Sequence, residues 1–116
     1  MKVLLQRVTE ASVSVGDDVV GRIGRGLVVF LGIASGDTES NARYLADRVI
    51  NLRIFADTSS KFDRSALETE AEILVVSQFT LLADTSKGRR PSFTGAASLE
   101  VAEALVERFV GYLKAM

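Results

Sequence analysis

Ser77-Gln78-Phe79-Thr80 places two hydroxyls, an amide and an aromatic ring in four consecutive residues, directly after the apolar run Ile73 to Val76. Polar side chains at the end of a buried strand need partners, and open α/β sheets place ligands at such strand ends. Ester or acyl chemistry is within reach of this set, but the chain contains no histidine and no cysteine. That removes Ser-His-Asp and Cys-His nucleophile systems and zinc centres built on those ligands. Catalysis must draw on hydroxyls, carboxylates, lysine, backbone dipoles or a group that the substrate brings. From spacing alone, the four residues read equally well as a ligand site or as a strand end whose hydroxyls satisfy nearby backbone.

Three further features bear on chemistry. Lys87-Gly88-Arg89-Arg90 is the densest basic cluster in a chain of net charge −1. It is either a solvated loop or a set of phosphate contacts for which the arginine fork is suited. Arg7 interrupts an apolar first strand, and either snorkels outward or reaches across to fix a functional loop. Gly21-Arg22-Ile23-Gly24-Arg25-Gly26 is not a nucleotide loop, since it precedes a strand instead of opening a helix. It reads as a hairpin turn that needs positive φ.

The elements that must position these residues follow from periodicity. Residues 3 to 15 read as a strand with Ala11, Val13 and Val15 alternating with Ser12 and Ser14; Gly16-Asp17-Asp18 turns the chain and residues 19 to 23 return, giving an N-terminal hairpin. Residues 27 to 33 form an apolar run buried on both faces. Asp37 or Thr38 caps a helix whose stripe is Ala42, Leu45, Val49 and Leu52. Residues 56 to 71 read as loop, with a turn at Asp57-Thr58-Ser59-Ser60 and one short strand near Ile54. Residues 73 to 76 form a second buried strand, and Ser98 caps a last helix with Ala102, Leu105, Phe109 and Tyr112 on one face. Two strand-then-helix units imply parallel neighbouring strands, so the class is α/β with a mixed sheet and the hairpin as a separate layer.

At 116 residues, with 47% hydrophobic and 25% charged residues, the chain is expected to be one domain spanning residues 1–116. No run of eighteen apolar residues and no signal-peptide pattern is present, so a cytoplasmic location is expected.

Several segments, in order, resemble the D-aminoacyl-tRNA deacylase (D-tyrosyl-tRNA deacylase) family: Leu5-Gln6-Arg7-Val8 with Ala11-Ser12-Val13, Gly24 to Gly32, Arg53-Ile54-Phe55, Val75 to Leu81, and Gly88-Arg89-Arg90-Pro91-Ser92-Phe93. The resemblance spans essentially the whole chain, and Ser-Gln-Phe-Thr followed by Arg-Pro-Ser-Phe is its most specific signature. It implies a three-layer α/β/β domain and a homodimer with the active site at the subunit interface, without metal or organic cofactor. The implied reaction is hydrolysis of the ester of D-aminoacyl-tRNA, or of glycyl-tRNA, releasing amino acid and tRNA as translation quality control. On this resemblance Ser77, Gln78 and Thr80 form the catalytic set, Phe79, Phe93 and Arg7 the substrate-binding set, and Lys87, Arg89 and Arg90 contact tRNA. Gln78 and Phe79 would line the adenosine and ester, and Arg7 would brace a loop of the partner subunit. Thr80 has been read in such enzymes as a nucleophile, yet no strong base is adjacent in sequence; the alternative is attack assisted by the terminal 2′-hydroxyl of the tRNA.

The family selects chirality with a Gly-Pro dipeptide on strands that follow the last helix. This sequence has no Gly-Pro dipeptide, so the chain is expected to be C-terminally incomplete relative to the family. The competing expectation is a non-catalytic module that binds the tRNA end, or an assembly fragment.

Overall fold

The computed structural model describes residues 1–56 and 61–116. The expected turn at Asp57-Thr58-Ser59-Ser60 lies outside the described residues. Among the described residues seven strands and three helices follow in order: β1 (Lys2–Val8), β2 (Ala11–Val15), β3 (Asp18–Ile23), β4 (Gly26–Gly32), α1 (Glu39–Asn51), β5 (Phe55–Ala56), β6 (Phe62–Arg64), α2 (Ala66–Thr69), β7 (Glu72–Ser77) and α3 (Leu99–Lys114), with a 3-10 turn over Phe79–Leu82 between β7 and α3.

The central strand is β4, paired antiparallel with β1 and parallel with β7. Its alternation sorts the core. Leu27, Val29 and Leu31 are fully buried and pack with Ala42, Ala46, Val49 and Ile50 of α1 and Leu105 and Phe109 of α3. Val28 and Phe30 face the other way, toward the β2–β3 hairpin, whose Gly21 lies against Leu74 of β7. Helices, mixed sheet and hairpin therefore make three layers, the α/β/β class expected, with β4 and β7 parallel as the two strand-then-helix units require.

The hairpin differs from expectation in one respect. Residues 3 to 15 form two strands instead of one. The chain leaves β1 after Val8, so β1 joins the central sheet and the hairpin is β2 with β3 alone, turning at Gly16 with φ +60°. Alternation of Ala11, Val13 and Val15 gave no sign of this break, because both strands share period two. The glycines of residues 21–26 are also used otherwise than expected, since the positive-φ glycines are Gly16, Gly36 and Gly88. A Cβ at Gly26 would overlap the Glu72 carbonyl oxygen and stand 2.9 Å from its backbone nitrogen. Close approach of β4 to β7, not turn geometry, demands glycine there.

Thr38 is the N-cap of α1, its backbone N–H donating to Asn41 Oδ1 at 2.9 Å. Asp37 instead accepts from the Ala34 N–H (2.7 Å) and pairs with the Met1 ammonium (2.7 Å), tying the start of β1 to the end of β4. The buried stripe of α1 is Ala42, Ala46, Val49 and Ile50. Leu45 is only partly buried, and Leu52 lies beyond the helix, 37% exposed, because the backbone turns extended at that residue. Ser98 caps α3 as expected, accepting from the Val101 N–H, and Leu105 and Phe109 are buried with Ala102 and Tyr112 beside them.

Two expectations in the second half need correction. Within the expected loop of 56 to 71, the described residues form short elements: β5 and β6 pair antiparallel, and α2 is a single turn closed by the Ser65–Glu68 capping box. These elements are too short for periodicity to register. β7 is half-buried and not fully buried, since β4 is its neighbour on one edge and no described strand lies on the other.

Replacing Gly26 with Ala is expected to disrupt the β4–β7 pairing and destabilise the fold by about 3 kcal/mol. Urea unfolding of the variant measures the loss, and a midpoint equal to that of the parent would contradict the close-approach reading.

Candidate active site

The end of β7 and its turn are held to β4 by two features. Leu31 is the register partner of Ser77, and the Gln78 N–H donates to the Leu31 carbonyl at 2.8 Å, which carries the pairing one residue past the strand. Gly32 then lets the turn lie directly on the strand end. A Cβ at Gly32 would stand 2.5 Å from Leu82 Cδ2, 3.0 Å from Leu81 Cβ and 3.1 Å from the Gln78 carbonyl oxygen. The chain rises into the 3-10 turn, where the Leu81 N–H donates to Gln78 O (3.3 Å) and the Ala83 N–H to Thr80 O (3.2 Å). Phe79 and Thr80 begin this turn, so their N–H groups precede the carbonyls within it.

This brings Ser77, Gln78, Phe79 and Thr80 onto one exposed ledge. Gln78 Nε2 donates to Thr80 Oγ1, which fixes both side chains relative to each other. Phe79 is 59% exposed, and its ring meets Phe93 edge to face with centroids 5.1 Å apart at 70°. Phe93 is thus brought to the motif across fourteen residues, a proximity that spacing could not show. Such an edge contact steadies a ring while leaving one face open.

The basic residues stand on a loop rooted in the same ledge. Asp84 and Ser92 exchange backbone hydrogen bonds (2.7 and 2.9 Å) and close the neck of the loop. Asp84 Oδ1 accepts from the Ser86 N–H (2.9 Å) and from Ser86 Oγ (2.6 Å), forming an Asx turn. Those two bonds hold the Asp84 carboxyl below its usual range. Their contribution is present above the unfolded-state pKa and is lost as pH falls through the lowered folded value. Gly88, at φ +100°, makes the apex. Lys87, Arg89 and Arg90 are exposed and form no ion pair among the described residues.

Arg7 is not part of this ledge within the chain. It pairs in register with Leu27, whereas Ser77 pairs with Leu31, four residues or roughly 13 Å along β4. Its guanidinium lies 4.7 Å from the centroid of Phe62 and lines an open cleft of about 480 Å³ with Arg25, Thr9 and Phe55. A second, apolar cleft of about 430 Å³ between β7, α2 and α3 is lined by Ile73, Val75, Val110 and Leu113, away from the Ser77–Thr80 ledge.

Sequence reasoning missed Gly32 and Asp84. A glycine inside an apolar strand signals close approach of another backbone, and Asp-x-Ser signals an Asx turn. Both signals were present in the chain.

The model of the D-Tyr-tRNA(Tyr) deacylase family matches residues 4–116. The chain is 57% identical over 114 residues to a D-aminoacyl-tRNA deacylase of Roseiflexus sp. (strain RS-1), covering 98% of this chain and 74% of that protein. It is 54% identical over 114 residues to the D-aminoacyl-tRNA deacylase of Halothermothrix orenii, covering 98% and 76%. Among solved structures it superimposes on c-Myc DNA Unwinding Element Binding Protein with TM-score 0.92 at 41% identity, covering 99% of this chain and 77% of that one. It also superimposes on a probable eukaryotic D-amino acid tRNA deacylase with TM-score 0.84 at 25% identity, covering 97% and 66%. The chain belongs to the D-Tyr-tRNA(Tyr) deacylase family.

Gly32→Ala is expected to lift the 78–82 turn from β4 and to lower catalytic turnover. The cost in stability is smaller than for Gly26→Ala, about 1 kcal/mol, because the nearest atom is the end of the flexible Leu82 side chain. Activity and urea midpoint measured on the two variants check this ordering.

Proposed function

We propose that the protein hydrolyses the ester of D-aminoacyl-tRNA, releasing the D-amino acid and free tRNA, as one deacylase domain acting in the cytoplasm. Membership of the family carries the activity, and one observation carries the site: Ser77, Gln78, Phe79 and Thr80 share an exposed ledge whose aromatic member is steadied by Phe93. Phe79 offers a ring face for the terminal adenine. Gln78 and the first N–H groups of the turn face the ester, and Ser77 and Thr80 flank it.

The ledge is open to solvent, whereas hydrolysis by oriented dipoles needs water excluded from the reacting ester. A homodimer that covers the ledge supplies that enclosure. The same arrangement gives Arg7 a role, since it lies far from Ser77 in its own subunit and its exposed guanidinium, stacked on Phe62, would brace a loop of the partner. Light scattering of the purified protein checks the dimer.

Thr80 Oγ1 is engaged by the Gln78 amide, which is a donor and not a base. An amide cannot take the proton that a nucleophilic hydroxyl must lose. The terminal 2′-hydroxyl of the tRNA, or water beside it, assists attack while backbone donors hold the carbonyl oxygen. The Lys87, Arg89 and Arg90 loop meets phosphates of the acceptor end. Among the described residues no helix is long and apolar enough to cross a membrane, consistent with a substrate in aqueous solution.

The test is deacylation of D- and L-tyrosyl-tRNA by the protein and its Thr80→Ala variant. The expected result is release of D-tyrosine in preference to L-tyrosine, with the variant retaining turnover to within about tenfold, the scale of a lost positioning hydrogen bond. Equal inactivity toward both substrates would contradict the deacylase reading. Complete loss of turnover with intact tRNA binding in Thr80→Ala would make Thr80 the nucleophile.

A further inference from the structure

A carboxylate at the foot of a cationic loop is within chain reach of its guanidinium groups, although an exposed pair of this kind gains little. Asp84 lies three residues before Lys87 and five before Arg89, yet pairs with neither. Its Oδ1 is occupied by the Ser86 N–H at 2.9 Å and the Ser86 hydroxyl at 2.6 Å. Among the described residues, Lys87, Arg89 and Arg90 are left without an ion pair.

The backbone of Asp84 performs a second task. Its N–H and carbonyl both bond Ser92, so the loop leaves and rejoins the scaffold at one point. On the incoming side, the Ala83 N–H is bound to Thr80 O, one residue before Asp84. On the outgoing side, Phe93 follows Ser92 and packs its ring on Phe79. Beyond it the Ala97 N–H donates to Ile33 O (2.9 Å) and the Ser35 N–H to Gly95 O (2.8 Å), joining this arm to the end of β4. The cations are therefore fixed to the same frame as the ledge, through a neck in which Asp84 supplies both the closing backbone pair and the side chain that shapes the first turn.

We infer that Asp84 is a positioning residue for RNA: through its bonds to Ser86 and Ser92 it holds the Lys87–Arg90 loop in the shape that presents three cations to phosphates. This rests on the reading of the loop as the RNA contact. The Asx turn requires an oxygen acceptor at residue 84, not a negative charge. Asparagine can supply that acceptor. Alanine cannot.

The experiment measures Kd for uncharged tRNA at fixed salt, KM and kcat for D-tyrosyl-tRNA, and the thermal midpoint, on Asp84→Ala, Asp84→Asn, Ser86→Ala and the triple variant Lys87→Ala/Arg89→Ala/Arg90→Ala. Asp84→Ala is expected to raise Kd and KM about fivefold, the effect of one lost hydrogen-bonded turn, with kcat unchanged. Asp84→Asn is expected to stay within about twofold of the parent, since the lost charge is not the positioning element. Ser86→Ala, which deletes only the hydroxyl donor, is expected to weaken binding in the same direction by less; it carries the test should Asp84→Ala fail to fold. The inference is overturned if Asp84→Ala or Ser86→Ala binds and turns over as the parent does, if kcat falls with KM intact, or if Asp84→Asn is as impaired as Asp84→Ala. Weak binding by the triple variant alongside parent-like Asp84→Ala would overturn this inference alone. Parent-like binding by the triple variant would overturn the reading of the loop as an RNA contact, and this inference with it.

Discussion

The site depends on how closely strand β4 is approached at its two ends. At Gly26 the backbone of Glu72 occupies the space where a side chain would begin, and at Gly32 the turn after β7 does the same. Between them, Leu27, Val29 and Leu31 are wholly buried against both long helices. β4 is thus a rigid bar approached closely at each end, by the Glu72 backbone at Gly26 and by Leu82, Leu81 and the Gln78 carbonyl at Gly32. The first sets the register of β7 and the second sets the height of the ledge on which Ser77 to Thr80 stand. The Gly26 contact is the stiffer of the two, because neither backbone there has a rotamer by which to yield, whereas Leu82 can turn away from Gly32.

What the sequence revealed follows the same division between side chains and backbone. The buried strand at 27–33, the caps at Thr38 and Ser98 and the face of the last helix were legible, because each is written in side-chain type and period. The break between β1 and β2 was not, since a strand that changes sheets keeps period two. The glycines of residues 21–26 were misread for a related reason: a glycine required by a neighbouring strand looks the same in sequence as one required by a turn. At the site, the grouping of Ser77, Gln78, Phe79 and Thr80 was local and readable. The addition of Phe93, and the separation of Arg7, depended on tertiary register and were not.

If the ledge is the active site, as proposed, it lets a hydrolase work without histidine or cysteine. Nothing on the ledge is a strong base, and Thr80 Oγ1 is taken up by the Gln78 amide. What the ledge offers is placement: an aromatic face, an amide and the leading N–H groups of a short turn packed on the end of β4. Placement of an ester beside its own vicinal hydroxyl is a large part of a hydrolytic barrier when the geometry is right. On the proposed reading the basic loop adds placement from the polynucleotide side, and its two arms are tied to the 3-10 turn and to the residues that follow β4.

The central claim is that the protein positions the aminoacyl terminus and the RNA supplies the assisting hydroxyl. The measurement that tests it most directly is single-turnover hydrolysis of D-tyrosyl-tRNA ending in adenosine against the same tRNA ending in 2′-deoxyadenosine, at saturating protein. The account predicts that both bind and that the deoxy substrate is hydrolysed slower by about two orders of magnitude or more, the scale of an assisting proton-transfer group. Equal rates would contradict it and return the search for the catalytic group to the side chains of the ledge.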